Sequence, residues 1–214
     1  MTSTMIKKPV ESYSVYKGIS ELKRIRVSTS IAFDTETLQI PPEKGKLRLI
    51  QLGCNLTKSI VVIDCFDLTH EDWDTLKQFF HSIDRFWLAH NAVFDLGWLQ
   101  EHDIYPKGTV KCSFLANRLL YNGIPEVKHG LDAVAKKHLN IIVSKEQQKS
   151  DWGAETLSKE QLTYAAKDIE VLLRLDKVLT SKITNARLAK AYDLECEVLP
   201  AMAQMWRVGL PWDI

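Results

Sequence analysis

Ser30-Ile31-Ala32-Phe33-Asp34-Thr35-Glu36 is an apolar run that ends in two acidic residues spaced two apart. Successive side chains of an extended strand alternate faces, so the carboxylates of Asp34 and Glu36 project from the same one. Such a pair at a strand end is able to ligate one hard cation. The same spacing also serves as a turn or helix cap, so its meaning depends on what else the chain brings to it.

Working outward, Leu47 to Leu52 alternates around Arg48 and Ser59 to Phe66 is β-branched, both strand signatures. Pro41-Pro42-Glu43-Lys44-Gly45 supplies turn chemistry between the first two strands. Thr69-His70-Glu71-Asp72 has the form of a capping box and predicts a helix through Phe80. Phe86-Trp87-Leu88-Ala89 predicts a fourth short strand, followed by a helix from about Ala92. Beyond Ser113 the apolar spacing is mostly helical, through Phe114 to Leu120, Leu131 to Leu139, and a long segment opened by a second capping box at Ser158-Lys159-Glu160-Gln161. Strands first and helices later indicate an α/β fold, a mixed central β-sheet flanked by α-helices. The polar stretch Asn140 to Gly153 reads as a loop, either a solvated connection or one that touches substrate.

Two further acidic positions fall on helical segments. Asn91 and Asp95 are four apart at the start of one helix, and Tyr164 and Asp168 are four apart inside another, so each pair shares a helix face. Either pair alone would serve as a cap or a solvated face. In combination they add two carboxylates to Asp34 and Glu36. Four carboxylates facing one another repel unless cations neutralise them, and two Mg²⁺ or Mn²⁺ ions about 4 Å apart make such a cluster favourable. Two metals flanking a phosphate stabilise both the attacking and the leaving oxygen, which points to phosphodiester hydrolysis.

Asp34-Thr35-Glu36 on a first strand, His90-Asn91-Ala92-Val93-Phe94-Asp95 after a later strand and Tyr164-Ala165-Ala166-Lys167-Asp168 on a C-terminal helix resemble the three exonuclease motifs of the DEDD superfamily, and the tyrosine resembles its DEDDy branch. The resemblance spans roughly Tyr16 to Leu179. It implies the ribonuclease H-like exonuclease fold, with Asp34, Glu36, Asp95 and Asp168 as ligands of two divalent cations, Mg²⁺ or Mn²⁺. Tyr164 would orient the attacking water, a task suited to a phenol because it hydrogen-bonds the nucleophile without competing strongly for metal. The expected activity is 3′-5′ exonucleolytic release of nucleoside 5′-monophosphates from a nucleic acid 3′ end. Asn91 and Phe94 match family positions that contact the terminal nucleotides, and Thr37, Leu38 and Ile40 match the stretch that touches the 3′ end, Leu38 or Ile40 as an apolar wedge. Val110-Lys111-Cys112-Ser113 departs from the Asp-Thr pair of relatives without removing a ligand.

Two branches compete. Ser150-Asp151-Trp152 with Leu157 to Tyr164 resembles ribonuclease D-like enzymes, which act on RNA. Glu195 through Leu199-Pro200, then Met205 to Asp213, resembles the entry into the polymerase part of family A DNA polymerases. The expectation is therefore a proofreading-like exonuclease domain over residues 1–190 and a polymerase-like C-terminal helix over 191–214. DNA is favoured over RNA, as single strands or frayed ends, and a polymerase region is a candidate partner in the natural chain. A catalytically inactive nucleic-acid-binding module is the alternative of another class, and the presence of every acidic position argues against it.

A chain of 214 residues, 45% of them hydrophobic, is long enough for one full core and short for two complete domains. A net charge of +1 excludes a protein that grips long duplex by a coat of cations, so nucleic-acid contact is local. Cys54, Cys65, Cys112 and Cys196 lie far apart with no zinc spacing and read as buried thiols in a reducing compartment. Met1 to Gly18 has no apolar signal region, and the longest apolar run, Ile60 to Ile63, ends at Asp64. The expected location is intracellular, cytoplasmic or nucleoid-associated, with no membrane contact.

Overall fold

The structure is a computed structural model and describes residues 13–38, 42 and 44–209. Its centre is a mixed six-stranded sheet, built from β1 (Ser14–Lys17), β2 (Ser30–Leu38), β3 (Lys46–Cys54), β4 (Ser59–Asp64), β5 (Arg85–Ala89) and β6 (Gly108–Cys112), in the order β1-β4-β3-β2-β5-β6. β3 runs antiparallel to both of its neighbours, β2 and β4, while β5 joins β2, β6 joins β5 and β1 joins β4 in parallel. The three expected strands and the fourth are present. The expected third strand stops at Asp64 because Asp64 caps a short 3-10 turn, accepting a hydrogen bond from the Phe66 amide.

Among the described residues seven α-helices surround the sheet: α1 (His70–His81), α2 (Ala92–Glu101), α3 (Ser113–Leu120), α4 (Leu131–Leu139), α5 (Lys159–Asn185), α6 (Ala189–Glu197) and α7 (Leu199–Val208). Both capping boxes form as read, Thr69 with Asp72 opening α1 and Ser158 with Gln161 opening α5. Each satisfies two amide groups that a helix start leaves unpaired.

Alternation along the strands divides the apolar residues into two layers. Ile31, Phe33, Ile50, Leu52, Val61 and Ile63 face one way and pack with Phe80, Trp87, Leu96 and Leu99 from α1, β5 and α2. Ala32, Leu49, Ile60 and Val62 face the other way and pack with Ala165, Ile169 and Leu172 of α5. Close approach of α5 requires a glycine in β3, since a Cβ on Gly53 would lie 2.5 Å from Ile169 Cγ2. Because Ala32 and Asp34 share a face, the same alternation turns the first acidic pair toward α5.

The C-terminal helix packs on α2. Trp206 meets Phe94 with ring centroids 5.5 Å apart, Gln100 Nε2 donates to the Pro200 carbonyl at 3.0 Å, and Arg207 pairs with Glu101 at 2.9 Å. All four cysteines are buried and unpaired. Among the described residues no helix is long and apolar enough to cross a membrane.

Candidate active site

β2 ends beside α2 and α5, and this junction gathers the acidic residues. Asp34 and Glu36 lie on the α5 side of the strand, and Asp168 reaches them from the third turn of α5. Ligand oxygens of Asp34, Glu36 and Asp168 all lie within 4.8 Å of one another. The intervening Thr35 points to the opposite face, where its hydroxyl donates to Asp95 Oδ1 at 2.6 Å, tying β2 to α2. Asp95 is thus buried and fixed next to the other three without sharing their common oxygen cluster.

This crowding is visible in the carboxyl groups. Burial, then the charges of Asp95, Glu36 and Asp168, push the Asp34 carboxyl well above the usual carboxylate range. Burial first and the Asp168 and Asp95 charges next raise Glu36 to about 9. Burial raises Asp95 to about 7 against the opposing hydrogen bond from Thr35, and raises Asp168 to about 7 against the opposing contact with Tyr164. Asp168 Oδ1 is buried without a hydrogen-bond partner. Hard oxygen donors that repel one another, with a buried acceptor left unpaired, fit one or more divalent cations, which would neutralise the cluster and occupy that oxygen.

Tyr164 stands one helical turn before Asp168 and lines the same cavity. Burial and the charges of Asp168, Glu36 and Asp34 push its phenol above the ordinary tyrosine range, so the hydroxyl keeps its proton at any physiological pH. The cavity measures about 690 Å³. Asn91 lines it from the turn between β5 and α2, where its φ of 57° is left-handed, a conformation that asparagine tolerates better than most residues. The Asn91 side chain makes no cap bond to the helix. Thr37 and Phe94 also line the cavity, Phe94 with its other side against Trp98 and Trp206. Leu38 is half-buried and packs in the layer of Trp152 and Tyr164. Ile40 lies outside the described residues.

The cavity is also lined by residues that sequence reasoning did not single out as site residues, among them His90, Phe114, Asp132, Lys145, Gln148 and Trp152. The segment from Asn140 to Gly153 therefore borders the cavity. Lys145 is the one lysine or arginine along the wall among the described residues, and it pairs with Asp132 at 2.8 Å. Arg48, fully buried in β3, holds the following stretch by donating to the Ala154 and Glu155 carbonyls and to Asp64 Oδ2. His90 bonds Ser113 Oγ through Nδ1 at 2.9 Å, and burial lowers it to about 4, so its ring is neutral near pH 7. The Ser150-Asp151-Trp152 likeness to ribonuclease D was the available signal for Trp152. For Lys145 and Gln148 there was only polarity.

A family model described as 3′-5′ exonuclease matches residues 11–184. The DNA polymerase I of Aquifex aeolicus is 29% identical over 188 residues, covering 83% of this chain and 30% of that protein. The ribonuclease D of Haemophilus influenzae is 28% identical over 174 residues, covering 81% of this chain and 42% of the relative. The chain thus spans less than half the length of these curated relatives. The structure of Brucella melitensis NrnC bound to pGG superposes with a TM-score of 0.79 at 25% identity, covering 95% of this chain and 97% of that one. The mixed sheet with flanking helices is the ribonuclease H-like exonuclease fold that the motifs implied.

Proposed function

The chain belongs to the 3′-5′ exonuclease family and is a nuclease of the DEDD type, and from that premise we propose that it shortens RNA from the 3′ end, short strands included, releasing nucleoside 5′-monophosphates. The observation that carries this reading is the convergence of Asp34, Glu36 and Asp168 oxygens within 4.8 Å beside Tyr164 in one open cavity.

Asp34, Glu36, Asp95 and Asp168 hold two divalent cations, Mg²⁺ or Mn²⁺, which when bound stabilise charge on the attacking and leaving oxygens. Tyr164 orients the attacking water. Since its proton is held firmly, it acts as a neutral hydrogen-bonding group and not as a base. Thr35 fixes the Asp95 carboxylate through the buried 2.6 Å bond. Asn91 and Thr37 offer polar contacts to the terminal nucleotide, and the half-buried Phe94 offers a ring to its sugar or base. Leu38 and Ile40 are the wedge candidates. Lys145 is available to a substrate phosphate once it leaves Asp132. Residues 1–190 are the proposed exonuclease domain; in place of the one helix expected over 191–214, the described residues there form the end of α6 and α7, and α7 braces α2.

RNA is supported by the ribonuclease D relative and by NrnC, which accommodates pGG in a chain matched over nearly its whole length. A second reading, DNA 3′ ends in a proofreading-like role next to a polymerase region, is favoured by the Aquifex aeolicus DNA polymerase I relative. The test offers 5′-labelled RNA and DNA of one sequence in parallel with Mg²⁺ and Mn²⁺. The expected result is a ladder shortening from the 3′ end, faster on RNA. Faster cleavage of DNA moves the assignment to the second reading, and cuts within a circular single strand, which has no terminus, overturn both.

A further inference from the structure

Gln51 lies in the middle of β3 with no exposed surface, and neither atom of its side-chain amide has a hydrogen-bond partner. Arg48 on the same strand, equally buried, has three acceptors. An unpaired buried amide destabilises a fold relative to an apolar side chain of the same shape, so packing gives no reason for a glutamine here.

The ladder register supplies one. Gln51 is directly opposite Asp34 in the antiparallel pairing of β2 and β3. Directly opposed residues project from the same face with Cβ atoms about 5 Å apart. That face is the one covered by α5, as the packing of Leu49 and Ala32 with Ala165 and Ile169 shows. Gln51 therefore lies at the floor of the carboxylate cluster, between β3 and the helix that carries Asp168. The cluster holds the complementary orphan, Asp168 Oδ1, buried and without a donor. One layer thus contains an amide donor without an acceptor and a carboxylate oxygen without a donor.

We propose that Gln51 is a positioning residue of the metal site, whose amide N–H donates, directly or through one buried water, to the Asp34 and Asp168 carboxylates when these hold cations. A bond to one oxygen of a carboxylate fixes the direction of the other, which sets how well the ligands meet the ion. Gln51 touches neither substrate nor water nucleophile. The inference rests on the metal-site reading of the four carboxylates.

The test replaces Gln51 by Met, close in length and unable to hydrogen-bond strongly, and by Leu as a smaller apolar control on packing. Two quantities are read: Mn²⁺ affinity by calorimetry and the Tm of the metal-free chain. The expected result is that both variants keep or raise the metal-free Tm, because an unpaired buried amide has been removed, and bind Mn²⁺ about 10- to 100-fold more weakly. A residue with a packing role alone would change Tm and leave affinity unmoved. Wild-type Mn²⁺ affinity in both variants, with normal binding by the wild type in parallel, overturns the proposal and leaves the metal site standing. No Mn²⁺ binding by the wild type overturns the metal-site reading and this proposal with it.

Discussion

Replacing Asp168 by Asn should make the metal-free protein more heat-stable at alkaline pH while abolishing hydrolysis. Burial moves the Asp168 carboxyl from 3.8 to about 7 in the folded chain. The folded state then holds this proton more tightly than the unfolded state, so stability is present below about pH 4 and is lost as pH rises toward 7. At 1.36 kcal/mol for each tenfold change in proton affinity, the full penalty at pH 8 is about 4 kcal/mol. Water entering the cavity and local relaxation screen about half of it, leaving about 2 kcal/mol. Asparagine keeps the shape and cannot ionise, so Asp168→Asn should raise Tm in chelator by about 4–8 °C at pH 8 for a chain of this length. At pH 4.5 the same titration leaves roughly a quarter of the penalty, and the gain should shrink in proportion. Differential scanning calorimetry at both pH values, with and without Mn²⁺, measures this. The Mn²⁺-dependent rise of the wild type should be weakened in the variant. A variant that loses stability equally at both pH values would refute the account of Asp168 as a carboxyl strained by its own ionisation.

Tyr164→Phe should lower the single-turnover rate about 10- to 1,000-fold with Mn²⁺ affinity nearly unchanged, because one positioned hydrogen bond to the nucleophile is lost and no ligand is; a wild-type rate constant would remove Tyr164 from the mechanism. Gly97→Ala should unseat α7, since a Cβ there would lie 2.5 Å from the Trp206 ring; overpacking of this kind costs about 1–3 kcal/mol, and an unchanged Tm would show that α7 does not brace α2.

The local signals in this sequence were strong where chemistry and geometry are settled within a few residues. A strand leading into Asp34 and Glu36, the two capping boxes, and the four-residue spacing of Tyr164 and Asp168 each follow from backbone periodicity, and each appears in the structure. The three spaced motifs also identify the family, because each is a short local pattern of side chains. Weak signals belonged to elements whose identity depends on neighbours. β1 has four residues, mostly exposed at an edge, and β6 has five, too few to show an alternation that distinguishes strand from loop. The Asn140 to Gly153 segment is polar whether it faces bulk water or a cavity, and partners distant in sequence place it: Gln161 donates to Ser150 and Asp151, Lys145 pairs with Asp132, and Arg48 holds Ala154 and Glu155 just beyond it.

Composition left a glutamine in an apolar strand unremarkable; its meaning came from register, which pairs Gln51 with Asp34 and turns both toward α5. The sequence by itself determined which carboxylates this protein has and which of them share a face, because side-chain direction along a strand or helix is a local property of the backbone. Tertiary structure alone decided that Asp34, Glu36 and Asp168 converge within 4.8 Å while Asp95 is held aside by Thr35, because that distance depends on how β2, α2 and α5 pack across more than a hundred residues of chain.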